Sequence, residues 1–168
     1  MGNDNNFGTQ LMLDSELFQL FGVDKPPSGV DWELSTDYLS DRGPAIGTNL
    51  QYQVPGFLGI AGPTNGFLDA WGIDDDGLDN LGRDRRNLTP ETKHRGRALW
   101  RHRQHLANKY ELIAELGWLS DRIFLEQYLE NEWDESPDQN NALRLKHYAG
   151  VNLLELSAQA RINDFYNE

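Results

Sequence analysis

The chain contains no cysteine. That excludes disulfides, thiol nucleophiles and cysteine-held metals together. Basic residues are in the minority, with 15 Lys and Arg against 27 Asp and Glu and a formal net charge of −12. So acidic a chain repels phosphate backbones, which argues against a nucleic-acid partner. No run of about 18 apolar residues occurs, so no helix is expected to cross a membrane. Barrel strands escape that test, because they are only about 9–11 residues long and alternate in character. Residues 1–10 are polar and hold no apolar core of a leader, so no signal peptide is expected. What is present is typical of a folded chain: 168 residues, 25% charged and 11% aromatic.

The strongest pattern has period two. Val30, Trp32, Leu34, Thr36 and Tyr38 fall on one face, and Asp31, Glu33, Ser35 and Asp37 on the other. This describes a half-buried strand. A turn follows at Ser40-Asp41-Arg42-Gly43-Pro44, and the alternation resumes with Ile46, Thr48, Leu50, Tyr52 and Val54. Three hairpins are expected, near residues 29–54, 95–120 and 142–164. In the second, Trp100, His102 and Gln104 oppose Arg95, Arg97, Arg101 and Arg103, and the return strand runs from Tyr110 to Trp118. Residues 55–66, rich in Gly and Pro, interrupt the pattern, which returns weakly at Phe67, Asp69, Trp71 and Ile73. Residues 74–93 read as a long polar loop with one short helical turn after Thr89. Residues 123–132 have helical spacing in too short a segment to decide, residues 134–141 around Pro137 form a polar loop, and residues 9–21 suit a strand or a short helix. The predicted class is all-β, an antiparallel meander of long hairpins.

One echo stands out. Tyr38-Leu39-Ser40-Asp41-Arg42 returns as Trp118-Leu119-Ser120-Asp121-Arg122, both at strand ends. Aromatics closing strands suit a membrane-interface girdle, and reuse of the same turn chemistry explains the echo equally well. Strands of 10–12 residues and the alternation of short turns with long loops also fit a membrane barrel.

These stretches resemble the barrel of the lipopolysaccharide-assembly (LptD/OstA, organic-solvent-tolerance) outer-membrane proteins. The similarity is carried by Gly29 through Tyr38-Leu39-Ser40-Asp41-Arg42-Gly43-Pro44 to Gly47, by Arg95-Gly96-Arg97 through Arg101-His102-Arg103-Gln104, and by Trp118-Leu119-Ser120-Asp121-Arg122-Ile123-Phe124-Leu125. It runs in order from about residue 5 to 164. It implies a partial barrel domain over residues 1–168 that helps insert lipopolysaccharide into the outer leaflet of the outer membrane, without enzymatic chemistry or a cofactor. It implies as partners a plug lipoprotein and the periplasmic bridge of the transport machinery. Arg95, Arg97, Arg101 and Arg103 become candidates for contacting glycolipid or for salt bridges in the lumen, and Trp32, Tyr38, Tyr52 and Trp118 for interface aromatics. Family members are several hundred residues long, with a leader, a periplasmic β-jellyroll and about two dozen strands or more, so this chain reads as a fragment of a longer parent.

The other candidates are weaker. His94, His102, His105 and His147 form no metal array, and the 102/105 spacing puts that pair on opposite strand faces. The run Asp74-Asp75-Asp76-Gly77 with Asp79 lacks the spacing of a calcium loop. Glu111 with Glu115, or Glu33 with Asp37, could be imagined as glycosidase carboxylates, but charged strand faces supply such pairs freely. Asn87-Leu88-Thr89 fits a glycosylation pattern that a bacterial envelope protein would not use. The alternative architecture is a soluble β-sandwich binding carbohydrate or another ligand through Trp32, Trp71, Trp100, Trp118 and Trp133.

Overall fold

In the computed structural model, residues 2–4, 6–82, 84–135 and 141–162 are described. Among them the chain forms one nine-stranded antiparallel sheet in which every strand pairs with its sequence neighbours. The strands are β1 (Gly2–Asp4), β2 (Gly8–Glu16), β3 (Val30–Leu39), β4 (Gly43–Phe57), β5 (Ile60–Asp74), β6 (His94–Leu106), β7 (Tyr110–Leu119), β8 (Asn141–Ala149) and β9 (Asn152–Ala160). The helices are short: α1 (Leu17–Leu20), α2 (Phe124–Tyr128) and α3 (Glu130–Glu135). The sheet is all-β and open, since β1 and β9 each have one neighbour and do not pair with each other. A sandwich requires a second sheet packed on the first, and the described residues form a single sheet.

The three expected hairpins are present; the first runs further than its sequence pattern suggested, to Phe57, while the second (His94 to Leu119) and third (Asn141 to Ala160) keep close to their expected starts. Residues 55–66 do not interrupt the sheet. They carry β4 and β5 outward to a tight turn at Leu58-Gly59. Pro55 is tolerated there because it sits beside a bulge, with three steps on β5 opposing two on β4. Within that bulge Gly62 (φ 143°) lies so close to β6 that a Cβ would collide with the His105 carbonyl oxygen. Thr89 starts no helix, and the loop after Asp74 holds only an isolated bridge between Asp79 and Leu88. The ambiguous segments resolve into both options: residues 9–21 are the end of β2 followed by α1, and residues 123–132 contain α2 and the start of α3. Pro137, most of the loop around it and residues 163–164 of the last hairpin lie outside the described residues.

Strict alternation gives the sheet two unlike faces. The inner face carries Asp37, Asp69, Trp71, Arg95, Arg97, Arg101, Arg103, Glu111 and Glu115, which the strand registers place side by side. The outer face carries Leu11, Tyr38, Ile46, Leu116, Trp118, Leu143, Leu154 and Leu156, all exposed. The edges differ too. Residues 5–7, 40–42, 75–93 and 120–140 connect strands at one edge, and residues 17–29, 58–59, 107–109 and 150–151 at the other. The two longest connections therefore share an edge, where they fold back onto the inner face.

That fold-back makes the hydrophobic core. Phe124 and Leu125 of α2 pack with Leu119, and Leu39, Ala45 and Ile73 form a second cluster. Trp71 and Tyr128 touch both clusters. The Trp71 indole donates to Asp37 (2.8 Å) and lies over Gly47, where any side chain would strike it. Phe124 is fully buried, so Phe124→Ala should lower the unfolding free energy by about 3–5 kcal/mol. Leu58→Ala, at the 86% exposed hairpin tip, should change it by less than about 0.5 kcal/mol. Equilibrium urea unfolding of both variants measures the contrast.

Candidate functional site

The most chemically dense region is a buried ion cluster at the long-loop edge, assembled from three connections and one strand. Arg42 comes from the β3–β4 turn, Asp75 and Asp79 from the loop after β5, Arg95 from the second position of β6, and Asp121 from just past the end of β7. The Arg42 Nη2 donates to Asp75 (2.8 Å) and Asp79 (2.6 Å), and its Nε donates to the Tyr128 hydroxyl (2.9 Å). Arg95 grips both oxygens of Asp121 at 2.9 Å, and its Nη1 reaches Asp79 (2.7 Å) and Asp75 (3.0 Å). The Tyr128 hydroxyl donates to Asp75 (2.6 Å). Both guanidinium carbons lie near the Tyr128 ring, at 5.2 and 5.4 Å from its centroid, which adds a cation–π attraction.

The repeated pentapeptide explains part of this geometry. Ser40 and Ser120 play one role: each hydroxyl accepts from the backbone of the adjacent strand, Thr9 N and Gly96 N respectively, at 2.9 Å. Each also donates to the aspartate that follows it. Leu39 and Leu119 both enter the core. The copies part ways at the charges, since Arg42 from the first and Asp121 from the second enter the cluster. The aromatic ahead of each, Tyr38 and Trp118, projects from the outer face and is 52% exposed in both cases.

Electrostatically the cluster places two guanidiniums against three carboxylates, all but removed from solvent. Burial alone would lower the Arg42 pKa, but Asp79, Tyr128 and Asp75 outweigh it and hold the value above that of a free arginine. The Tyr128 hydroxyl is pushed well above an ordinary phenol, first by burial and then by its bond to Asp75. One oxygen, Asp79 Oδ2, is buried without a hydrogen-bond partner. The cluster neither brings a nucleophile against a base nor leaves its carboxylates open. What it can do is hold the loop and α2 against the strand ends.

Further ion pairs extend this clamp across the inner face. Arg97 joins Asp69 to Glu132 of α3, and Arg85 joins the loop to Glu126 of α2. The four strand arginines therefore share a face but divide by depth. Arg95 and Arg97 are buried in the clamp, whereas Arg101, paired with Glu115, and Arg103, paired with Glu111, are half-exposed. Glu111 also accepts from the Tyr148 hydroxyl (2.9 Å). Asp76 turns outward to Lys93 (2.8 Å). Among the described residues no three His, Asp or Glu side chains converge as metal ligands.

Two of the interface candidates are tied to neighbours on the outer face. Tyr52 lies on the outer face with the other interface candidates but is only 7% exposed, because Phe57 of the hairpin tip stacks on it at 5.4 Å. Its hydroxyl meets His102 (2.8 Å) and accepts from the Trp100 indole (3.0 Å). Trp32 bonds Thr48 (2.8 Å) and meets Phe18 edge-on. Sequence reasoning missed Arg42, Asp75, Asp79, Asp121 and Tyr128 as one unit; the only signal was the echoed Ser-Asp-Arg.

Comparison with protein-family models gives no match, and comparison with curated proteins gives no match either.

Removing one partner of a buried charge pair leaves the other uncompensated, at a cost of about 3–5 kcal/mol. Arg95→Leu should incur that cost and open the loop, giving early tryptic cleavage after Arg86, whereas Arg101→Leu should leave the cleavage unchanged. Tyr128 adds a pH dependence. Its folded pKa is raised, so its contribution is complete below about pH 10, the value of an exposed phenol. It is lost as pH rises through the folded value, where the folded protein too must release the proton. The urea midpoint of the protein should thus fall above about pH 10, and Tyr128→Phe should flatten that decline while lowering the midpoint at neutral pH.

Proposed function

We propose that this chain is a wall segment of an outer-membrane β-barrel of the lipopolysaccharide-assembly kind, part of a longer parent that delivers lipopolysaccharide to the outer leaflet. The observation that carries this reading is the two-faced sheet. Leu11, Ile46, Leu116, Leu143 and Leu156 keep an apolar outer surface open across strands from β2 to β9, while the reverse face is charged and hydrogen-bonded. In water so broad an apolar face is unfavourable; in hydrocarbon it is the required surface, with the polar face turned to a hydrated lumen. Strands of 9–15 residues, β1 apart, are long enough to cross. The gathering of the two longest connections at one edge matches the barrel habit of long outer loops and short inner turns.

On this reading the clamp of Arg42, Arg95 and Asp121 seats a loop plug at the lumen mouth. Half-exposed Arg101 and Arg103 are the inner-face cations placed to meet the phosphates of a passing glycolipid. The plug lipoprotein and the periplasmic bridge are the partners. The role needs positioning and passage rather than bond making, so no catalytic group or cofactor is assigned.

The decisive experiment folds the purified chain in buffer and with lipid vesicles, followed by far-UV circular dichroism and protease protection. Strand signal and protection that develop with vesicles support the reading, and cooperative folding in buffer with indifference to vesicles would sink it. Face-specific variants sharpen the result. Leu116→Arg should weaken folding into vesicles by about 2–4 kcal/mol, while Ser157→Arg on the opposite face should have little effect.

A further inference from the structure

The outer face is not a plain apolar wall. Beneath the β4–β5 hairpin tip lies a groove of 520 Å³. It is walled by Phe57 and Ile60 of the tip and crosses β6, β7, β8 and β9 past Trp100, Leu112, Leu143 and Ala158. Four adjacent strands span three inter-strand spacings, about 14 Å, so the groove is long. No charged side chain lines it. Three of its polar side chains already have partners. Gln104 donates to the Ile60 carbonyl (2.9 Å), His102 meets Tyr52, and Asn141 bridges the Gly117 backbone in both directions. The groove therefore favours an occupant that is elongated and has no hydrogen bonds to offer.

We infer that the groove beneath the hairpin tip is a binding site for one acyl chain of a membrane lipid. The inference rests on the membrane-facing reading of this surface, since the groove opens onto the same face as exposed Leu116, Trp118, Leu143 and Leu156. It goes beyond that reading by distinguishing a held chain from the lipid that merely wets the face. The Tyr52–His102 bond and the Gln104 bond to Ile60 fix the floor, and the tip, folded onto the outer face beyond the bulge, supplies the roof. Small residues, Ala114, Ala158 and Ala160, leave the width a hydrocarbon chain requires.

Two tryptophans make the inference testable, because Trp100 lines the groove and Trp118 stands on the open face. The full chain is folded into phosphatidylcholine vesicles whose acyl chains are brominated, and quenching is compared in the protein, Trp118→Phe, and Trp118→Phe combined with Trp100→Phe. The expected result is quenching of both tryptophans, with the Trp100 share lost on Ala158→Phe, an exposed-strand change that fills the groove, while the Trp118 share persists. If Trp118 is quenched and Trp100 is not, or if Ala158→Phe leaves the Trp100 share intact, the acyl site is overturned and the membrane reading stands. If neither tryptophan is quenched, the membrane reading falls and the acyl site with it.

Discussion

Two arginines with no access to water hold the long-loop edge of this protein together. A guanidinium stripped of solvent demands carboxylates, and Arg42 and Arg95 obtain theirs only when the β3–β4 turn, the loop after β5 and the end of β7 meet. Such a cluster contributes little net stability against an apolar substitute, because desolvation offsets most of the Coulomb attraction. Its effect is on uniqueness: any other seating of loop and helix leaves a buried charge unpaired. Tyr128 then carries the arrangement into the core, since one ring touches both hydrophobic clusters and both arginines.

The rest of the sheet follows a different logic. Beyond the long-loop edge, the described residues place no core over the inner face, which relies on cross-strand pairs such as Arg101 with Glu115. The outer face is open apart from Trp32, met by Phe18, and the place where the hairpin tip folds over Tyr52 and His102. Packing is thus concentrated in two places on opposite faces and opposite ends: a charged plug at one end, an aromatic roof at the other. The apolar expanse between them is the surface that the proposed contact with hydrocarbon requires.

The strands themselves were legible from residue order. Period two depends on neighbours two positions apart, so Val30–Leu39 and Tyr110–Leu119 could be placed without knowing their partners. Placing four arginines on one face of β6 was legible for the same reason. The Gly- and Pro-rich stretch was misleading because Pro55 and Gly62 usually break strands, and only the bulge, with β6 pressed against it, makes them fit. The short α2 stayed undecided because helical spacing over so few residues does not exclude a strand; burial of Phe124 and Leu125 stabilises it.

Residue order by itself therefore determined the all-β class, the hairpins and the assignment of side chains to two unlike faces, because alternation is a local property of an extended chain. Which aspartate meets which arginine was decided only by the tertiary structure. Asp75, one of three adjacent acids, turns inward while Asp76 stays at the surface with Lys93, and nothing within that run distinguishes them. The difference arises from Arg42, Arg95 and Tyr128, which lie 33, 20 and 53 positions away and converge on one carboxylate oxygen when the strands align.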